Sequence, residues 1–184
     1  GTVYDNKSTG RRTALAKWIG STENPLTARV AINHMWMRHF GKPLVPTVFD
    51  FGMNGKPPTH PALLDYLATE FMNSGWSMKV MHRLMVTSAT YRMRSSAGAG
   101  KNSNAAVDGE NEYLWRMNPR RMEAEVVRDS ILALSGELDP TMGGPEIDEE
   151  KGLESKRRSI YFSHSPDKQM EFLKMFDGPN PVEC

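Results

Sequence analysis

Apolar residues recur along most of the chain at helical spacing, and glycine, proline and small polar residues cut that pattern into about five or six segments. "RRTALAKWI" (Arg11–Ile19) reads as a short amphipathic helix ended by Gly20. "ENPLTARVAINHMWMRHFG" follows, with Asn24 placed to cap, Pro25 at the first helical position and Gly41 as a left-handed stop. Leu26, Val30, Met37 and Phe40 form its expected apolar stripe, widened by Ile32 and Trp36. Thr27, Ala31, His34 and Arg38 form the expected wet face. Residues 42–59 hold four prolines and predict an ordered but irregular loop. "HPALLDYLATEFMNSG" restarts the helical pattern at Pro61 and ends it at Gly75. "SMKVMHRLMVTSATYRM" predicts a fourth helix capped by Ser77, with Val80, Leu84, Thr87 and Tyr91 on one face.

The pattern then lapses. Residues 94–111 are small and polar without apolar period, and predict a flexible internal linker. "NPRRMEAEVVRDSILALSG" predicts a fifth helix with Asn118 as cap, Pro119 first and Gly136 as stop; its stripe is Ala124, Val127, Ile131, Leu134 and Leu138. "RRSIYFS" (Arg157–Ser163) is the only good strand candidate, and "DKQMEFLKMF" (Asp167–Phe176) closes the pattern as a short helix. The expected fold is mainly α: an irregular bundle with long loops and at most one short strand or hairpin. Without alternating strands and helices, a doubly wound nucleotide fold does not fit.

At 184 residues, the chain is expected to be a single domain, cut from a larger one at both ends. A net charge of +1 gives no global field for nucleic acid or anionic lipid, and the basic clusters lack interleaved aromatics. Membrane insertion is not expected either, since no long apolar run exists. The single cysteine, Cys184, excludes an internal disulfide and any cysteine-built metal site.

Three strings suggest phosphate chemistry: Asp-Phe-Gly at Asp50–Gly52, His-Arg-Leu at His82–Leu84 and "GAGKNS" at Gly98–Ser103. Order and spacing remove all three. Kinases place the His-Arg-Asp loop before Asp-Phe-Gly, whereas here the order is reversed and Leu84 replaces the aspartate. A Walker loop needs glycine where Ser95 stands and Ser or Thr where Asn102 stands. The plainer expectation is that Asp50 ties a turn, Phe51 anchors it and Gly52 allows an unusual backbone angle.

The five histidines contain no i, i+4 pair, so no metal site is expected from spacing. His60 precedes Pro61, where its side chain can cap or pack, and His82 sits at helical spacing from Met78 and Met85. Thirteen methionines fit adaptable core packing better than a copper or haem site. Asn33 falls inside the apolar stripe, where a buried amide needs partners. It either ties the following loop to the helix or contacts a ligand, with Arg29 and His39 flanking it. Arg121, Glu125 and Arg128 fall at i, i+4 and i+7, so a covered face would make Glu125 a bridge between two arginines. Such a carboxylate is a clamp more readily than an acid catalyst, because arginine favours its charged form. The candidate ligand-binding residues are therefore Asn33, His39, Asp50, His60, Arg121, Glu125 and Arg128.

The phrases "NPLTARVAINHMWMRHFGKPLV", "FDFGMNGKPPTHPALLDYLATEF", "GWSMKVMHRLMVTSATYR", "LWRMNPRRMEAEVVRDSILALSGELD", "MGGP", "RRSIYF" and "FDGPNPVEC" together resemble the planctomycete PSD-type domain of unknown function, from about Arg11 to Cys184. The resemblance implies a place toward the C-terminus of a large exported protein, periplasmic or at the cell surface. A second domain of unknown function would precede it, and a cytochrome-c-like domain often lies further upstream. Any haem would belong to that separate domain, with no cofactor in this chain. The family's Asn-Arg-x-Trp phrase stands here as Asn33-His34-Met35-Trp36, so His34 departs from it. The family pattern also continues past Cys184.

Two functions remain in view. The favoured one is a structural or interaction module whose partners are neighbouring domains of the same chain. The alternative is a catalytic or carbohydrate-binding domain, with a site near the 50–60 loop and the Asn33 helix. An enzyme would bring Asp50, His60, Asn33 or Glu125 together in a concave pocket. A scaffold would tie them into backbone hydrogen bonds and leave an apolar patch exposed.

Overall fold

The computed structural model describes residues 9–96, 103–165 and 167–176. The chain is mainly helical, and it forms two compact units, Gly1–Pro119 and Arg120–Cys184. The "GAGKNS" string lies almost wholly, and Cys184 entirely, outside the described residues.

The first unit contains α1 (Arg11–Ile19), α2 (Thr27–Phe40), α3 (Pro61–Asn73), α4 (Met78–Thr87) and the short α5 (Ser103–Val107). Helix α2 begins two residues beyond Pro25, but Asn24 still organises its entry. The Asn24 Oδ1 accepts from the amides of Leu26 and Thr27 at 2.9 and 3.4 Å. Gly41, at φ 79°, ends the helix as its sequence position predicts. Helix α3 opens on Pro61, with Gly75 at φ 68° just past its end. Helix α4 is capped by Ser77, whose hydroxyl accepts from the Val80 amide.

The faces of α2 and α4 differ from their predicted stripes. Ala28, Ile32, Asn33, Met35, Trp36 and Phe40 are buried in α2, whereas Leu26 is exposed. In α4 the buried residues are Met81 and Met85, while Val80 and Leu84 face water. The physical reason is three-helix packing: α2 contacts both α3 and α4, so it needs a broad buried surface. The α4 sequence is apolar on two faces, and the unbranched methionines fill the irregular inner gap. Leu64, Leu67, Ala68 and Phe71 supply the α3 side of this core, and Leu44 and Val45 close it from the following loop. Each fully buried Leu, Met or Phe contributes about 1.5–3 kcal/mol relative to exposure. Trp36 and Phe40 stack at 3.8 Å between ring centroids, and Tyr91 meets Phe40 edge-on at 5.7 Å.

Part of the segment expected to be linker is ordered. Asp108 accepts through its two carboxylate oxygens from the Glu112 and Tyr113 amides, both at 2.8 Å. The Trp115 indole donates to the Asp108 carbonyl at 2.8 Å. Buried Asn111 donates to the Arg116 carbonyl and to the Asn118 Oδ1 at 2.8 and 2.9 Å. Asn118 in turn donates to the Phe40 carbonyl at 3.0 Å. That explains why Asn118 does not cap the next helix: its side chain is already held at the end of α2.

The second unit contains α6 (Ala124–Leu134), α7 (Glu171–Met175) and two 3-10 turns at Glu149–Gly152 and Ser159–Tyr161. Helix α6 starts at Ala124, not Pro119, with Glu123 as its extended cap residue. Arg121 therefore lies ahead of the helix, and Arg121, Glu125 and Arg128 do not share a helical face. The predicted apolar stripe is also displaced. Ala124 and Arg128 are buried, while Ile131 and Leu134 are exposed. The predicted strand over 157–163 is a 3-10 turn flanked by isolated bridges, Asp139 to Arg157 and Ile147 to Phe162. β-Branched and aromatic residues mark a pleated surface only when a partner strand is present; here short extended loops supply single bridges instead.

Candidate functional site

In the first unit a cavity of about 360 Å³ opens between the Lys42–Pro46 loop, Thr59–His60 and Glu110–Leu114. Trp36, Pro43, Leu44, Pro46 and Leu114 make its apolar lining, and Lys42, Thr59, His60 and Glu110 bring polar groups to it. The loop is held from below by Asn33, which is fully buried. Its Oδ1 accepts from the Val45 amide at 2.8 Å, and its Nδ2 donates to the Val45 carbonyl at 3.1 Å. One side chain thus satisfies both backbone groups of the residue between Leu44 and Pro46. The Thr59 amide and hydroxyl donate to the Leu44 carbonyl at 2.8 and 3.2 Å, fixing the facing wall.

The 110–114 wall carries unusual backbone. Asn111 and Leu114 have φ of 56° and 55°. Asn tolerates the left-handed region; for Leu it costs about 1–2 kcal/mol. The Asp108 and Asn111 hydrogen bonds described above hold it there. Lys42 bridges across the cavity mouth, donating to the Glu110 carbonyl at 2.7 Å and its carboxylate at 2.9 Å. The Lys42 ammonium holds the Glu110 carboxyl below its ordinary value, first by hydrogen bonding and then by charge. The pair is solvent-exposed, so it contributes a tether of modest strength. His60 lines the cavity with its Nδ1 3.0 Å from the Thr59 hydroxyl, and its ring meets exposed Tyr113 edge-on at 6.1 Å. It does not cap α3 by its side chain.

Asp50 lies in the neighbouring loop and ties a turn. Its Oδ1 accepts from the Gly52 amide at 2.8 Å, and its carbonyl accepts from the Thr47 hydroxyl at 2.7 Å. Phe51 packs against the core, as expected of an anchor. The need for glycine falls elsewhere than predicted. Gly52 is not in the left-handed region, whereas a Cβ on Gly55 would lie 2.3 Å from the Asp50 carbonyl oxygen. His39 sits apart from the cavity residues, with its Nε2 2.8 Å from the His82 Nδ1.

In the second unit Arg128 is buried and organises the loops that return to α6. It donates to the carbonyls of Arg157 at 2.9 Å, Gly152 at 3.1 Å and, at closer range, Ser155. Its guanidinium also lies 4.9 Å from the Phe162 ring centroid. Asp129 accepts from the Ser159 amide and hydroxyl at 2.8 and 2.7 Å and lies 3.7 Å from Arg128. Burial pushes the Arg128 pKa down, and the Asp129 charge partly restores it. Arg128 is thus a clamp made with carbonyls and with its neighbour; Glu125 sits half-buried in the first turn of α6, and Arg121 is exposed ahead of it.

Asn33 and His60 are brought to one cavity wall system, whereas Asp50 and His39 serve separate contacts. Sequence reasoning missed Lys42, at the start of the 42–59 loop, and Glu110, Asn111 and Leu114, at or just past the end of the expected linker. Asp108-Gly109 is the available turn signal there.

A family model described as PSD1, a protein of unknown function (DUF1553), matches residues 11–184. The chain belongs to this family. No curated protein and no solved structure matches it. Membership of PSD1 accounts for the long quoted phrases, and the cavity wall from Lys42 to His60 falls within the matched span.

Proposed function

We propose that this PSD1 chain is an interaction module of a larger exported protein, and that the 360 Å³ cavity receives an apolar side chain from a neighbouring domain. The observation that carries this reading is the use of the candidate residues. Asn33 is hydrogen-bonded at both amide ends to Val45, Asp50 closes its own turn, and Arg128 holds three loop carbonyls. These side chains build walls and loops. Of the three, Asn33 braces the wall of a mostly apolar recess rimmed by a few polar groups, a form suited to taking up one apolar group. The exported setting, and a haem group in a separate domain, are supported by the family resemblance.

The test is a titration of the isotope-labelled chain with the domain that precedes it in the full-length protein, followed by NMR. Shifts should cluster at Leu44, Thr59, His60 and Leu114 and vanish in Pro46→Glu, a change at an exposed lining residue. A well-folded pair without such shifts would sink the intramolecular partner.

Glycan binding is a second reading, favoured by one feature. The exposed Tyr113 ring beside His60 offers a flat face next to polar groups at the cavity. A glycan array should then give hits that disappear in Tyr113→Ala; a blank array counts against it.

A further inference from the structure

We propose that His39 and His82 form a binding site for a divalent transition-metal ion of the copper or nickel type. His39 lies in the last turn of α2 and His82 on α4, two helices in contact within one unit. Their facing nitrogens, His39 Nε2 and His82 Nδ1, are 2.8 Å apart, with the ring planes at 72°. Two neutral imidazoles at that distance share one hydrogen, one ring donating and the other accepting. Tautomer exchange moves that hydrogen to the donor ring's other nitrogen. Both facing nitrogens then carry free lone pairs with both rings neutral, and a turn of the exposed His82 ring aims the two at one ion.

Two metal–nitrogen bonds of about 2.0–2.1 Å at a right angle put the nitrogens about 2.9 Å apart, whereas a tetrahedral angle needs about 3.3–3.4 Å. The hydrogen-bonded pair at 2.8 Å lies within reach of either arrangement, and two imidazoles without a thiolate favour copper(II) or nickel(II), which stand high in the affinity order for nitrogen donors. The site is also held in place. Tyr91 meets the His39 ring edge-on at 6.0 Å and packs on Phe40 of the core with the same ring. His82 is solvent-exposed, so the remaining coordination positions open to water or to an external donor. Among the described residues no group of three or more His, Cys, Asp or Glu is placed to hold an ion. The site is therefore two-coordinate in protein ligands and weaker than a closed structural zinc site.

The test titrates the full chain with copper(II) chloride in a non-coordinating buffer and follows it by electron paramagnetic resonance. The expected result is one ion per chain with two equatorial nitrogens, and a Kd raised at least about tenfold in His82→Ala. Because His82 is exposed, that variant should keep its circular dichroism. His39→Ala should lose binding to the same extent, and His34→Ala should leave it unchanged. Copper binding of undiminished affinity in His82→Ala would place the ion elsewhere and overturn the proposal. So would the lack of any stoichiometric binding by the unaltered protein.

Discussion

Replacing Asn33 by leucine tests the clamp beneath the cavity. The side chain is fully buried and holds the Val45 amide at 2.8 Å and the Val45 carbonyl at 3.1 Å. Leucine has nearly the same shape but satisfies neither group. Each orphaned buried partner costs about 1–3 kcal/mol, so roughly 2–6 kcal/mol is lost, offset by up to about 2 kcal/mol from burying the leucine. The net expectation is a loss of about 2–4 kcal/mol, a large share of the stability of a small unit. The assay is urea unfolding followed by tryptophan fluorescence. It is selective, because all four tryptophans (Trp18, Trp36, Trp76 and Trp115) lie in the first unit. With a slope of about 1–2 kcal/mol per molar urea, the midpoint should fall by about 1–4 M. Asn33→Asp sharpens the test. Its carboxylate can still accept from the Val45 amide, but only its protonated form can donate to the carbonyl. Its folded pKa should rise, so its stability relative to the unaltered chain should be greatest in acid and fall as pH rises through that pKa. A leucine variant within about 0.5 kcal/mol of the unaltered chain, a shift ordinary for surface changes, would refute the clamp.

Three other outcomes follow from the same contacts. Arg128→Met should destabilise the second unit by roughly 3–5 kcal/mol by orphaning three carbonyls, and Arg128→Lys should not rescue it, because an ammonium lacks the guanidinium fork; limited proteolysis of residues 120–184 reads both. Gly55→Ala should cost at least about 1–3 kcal/mol, since its Cβ would meet the Asp50 carbonyl oxygen at 2.3 Å; a fluorescence-detected midpoint equal to that of the unaltered chain would contradict this. Glu110 has a lowered folded pKa, so its contribution is present above the ordinary value of 4.5 and lost as pH falls through the folded value; acid titration of Lys42→Gln should lack that step, as should the unaltered chain in high salt.

Much of the helical frame was legible because its signals are local. Pro61 with Gly75, Ser77, and Gly41 each act within one turn, so each marks its boundary without knowledge of the rest of the chain. Asn118-Pro119 carries the same kind of local signal and fails, because the Asn118 side chain is held by Phe40 and Asn111. The stripes of α4 and α6 fail for a related reason. Their sequences are apolar on more than one side, and only the neighbouring elements choose which side is covered. Val80 and Leu84 on α4, and Ile131 and Leu134 on α6, are left outside. Asn33 was visible as a polar residue in an apolar stripe, and its tie to the following loop was one of two expectations; the partner, Val45, was not.

The sequence alone determined the helical class, the family and the positions where single residues stop or start a turn, since these depend on backbone preferences and on short-range spacing. Tertiary structure decided which chemistry meets. Lys42 reaches Glu110, Asn111 reaches Asn118, and His39 reaches His82 across 43 residues. Such pairs leave no periodic trace, because contact between distant segments is set by how the helices pack, and packing answers to the whole core at once.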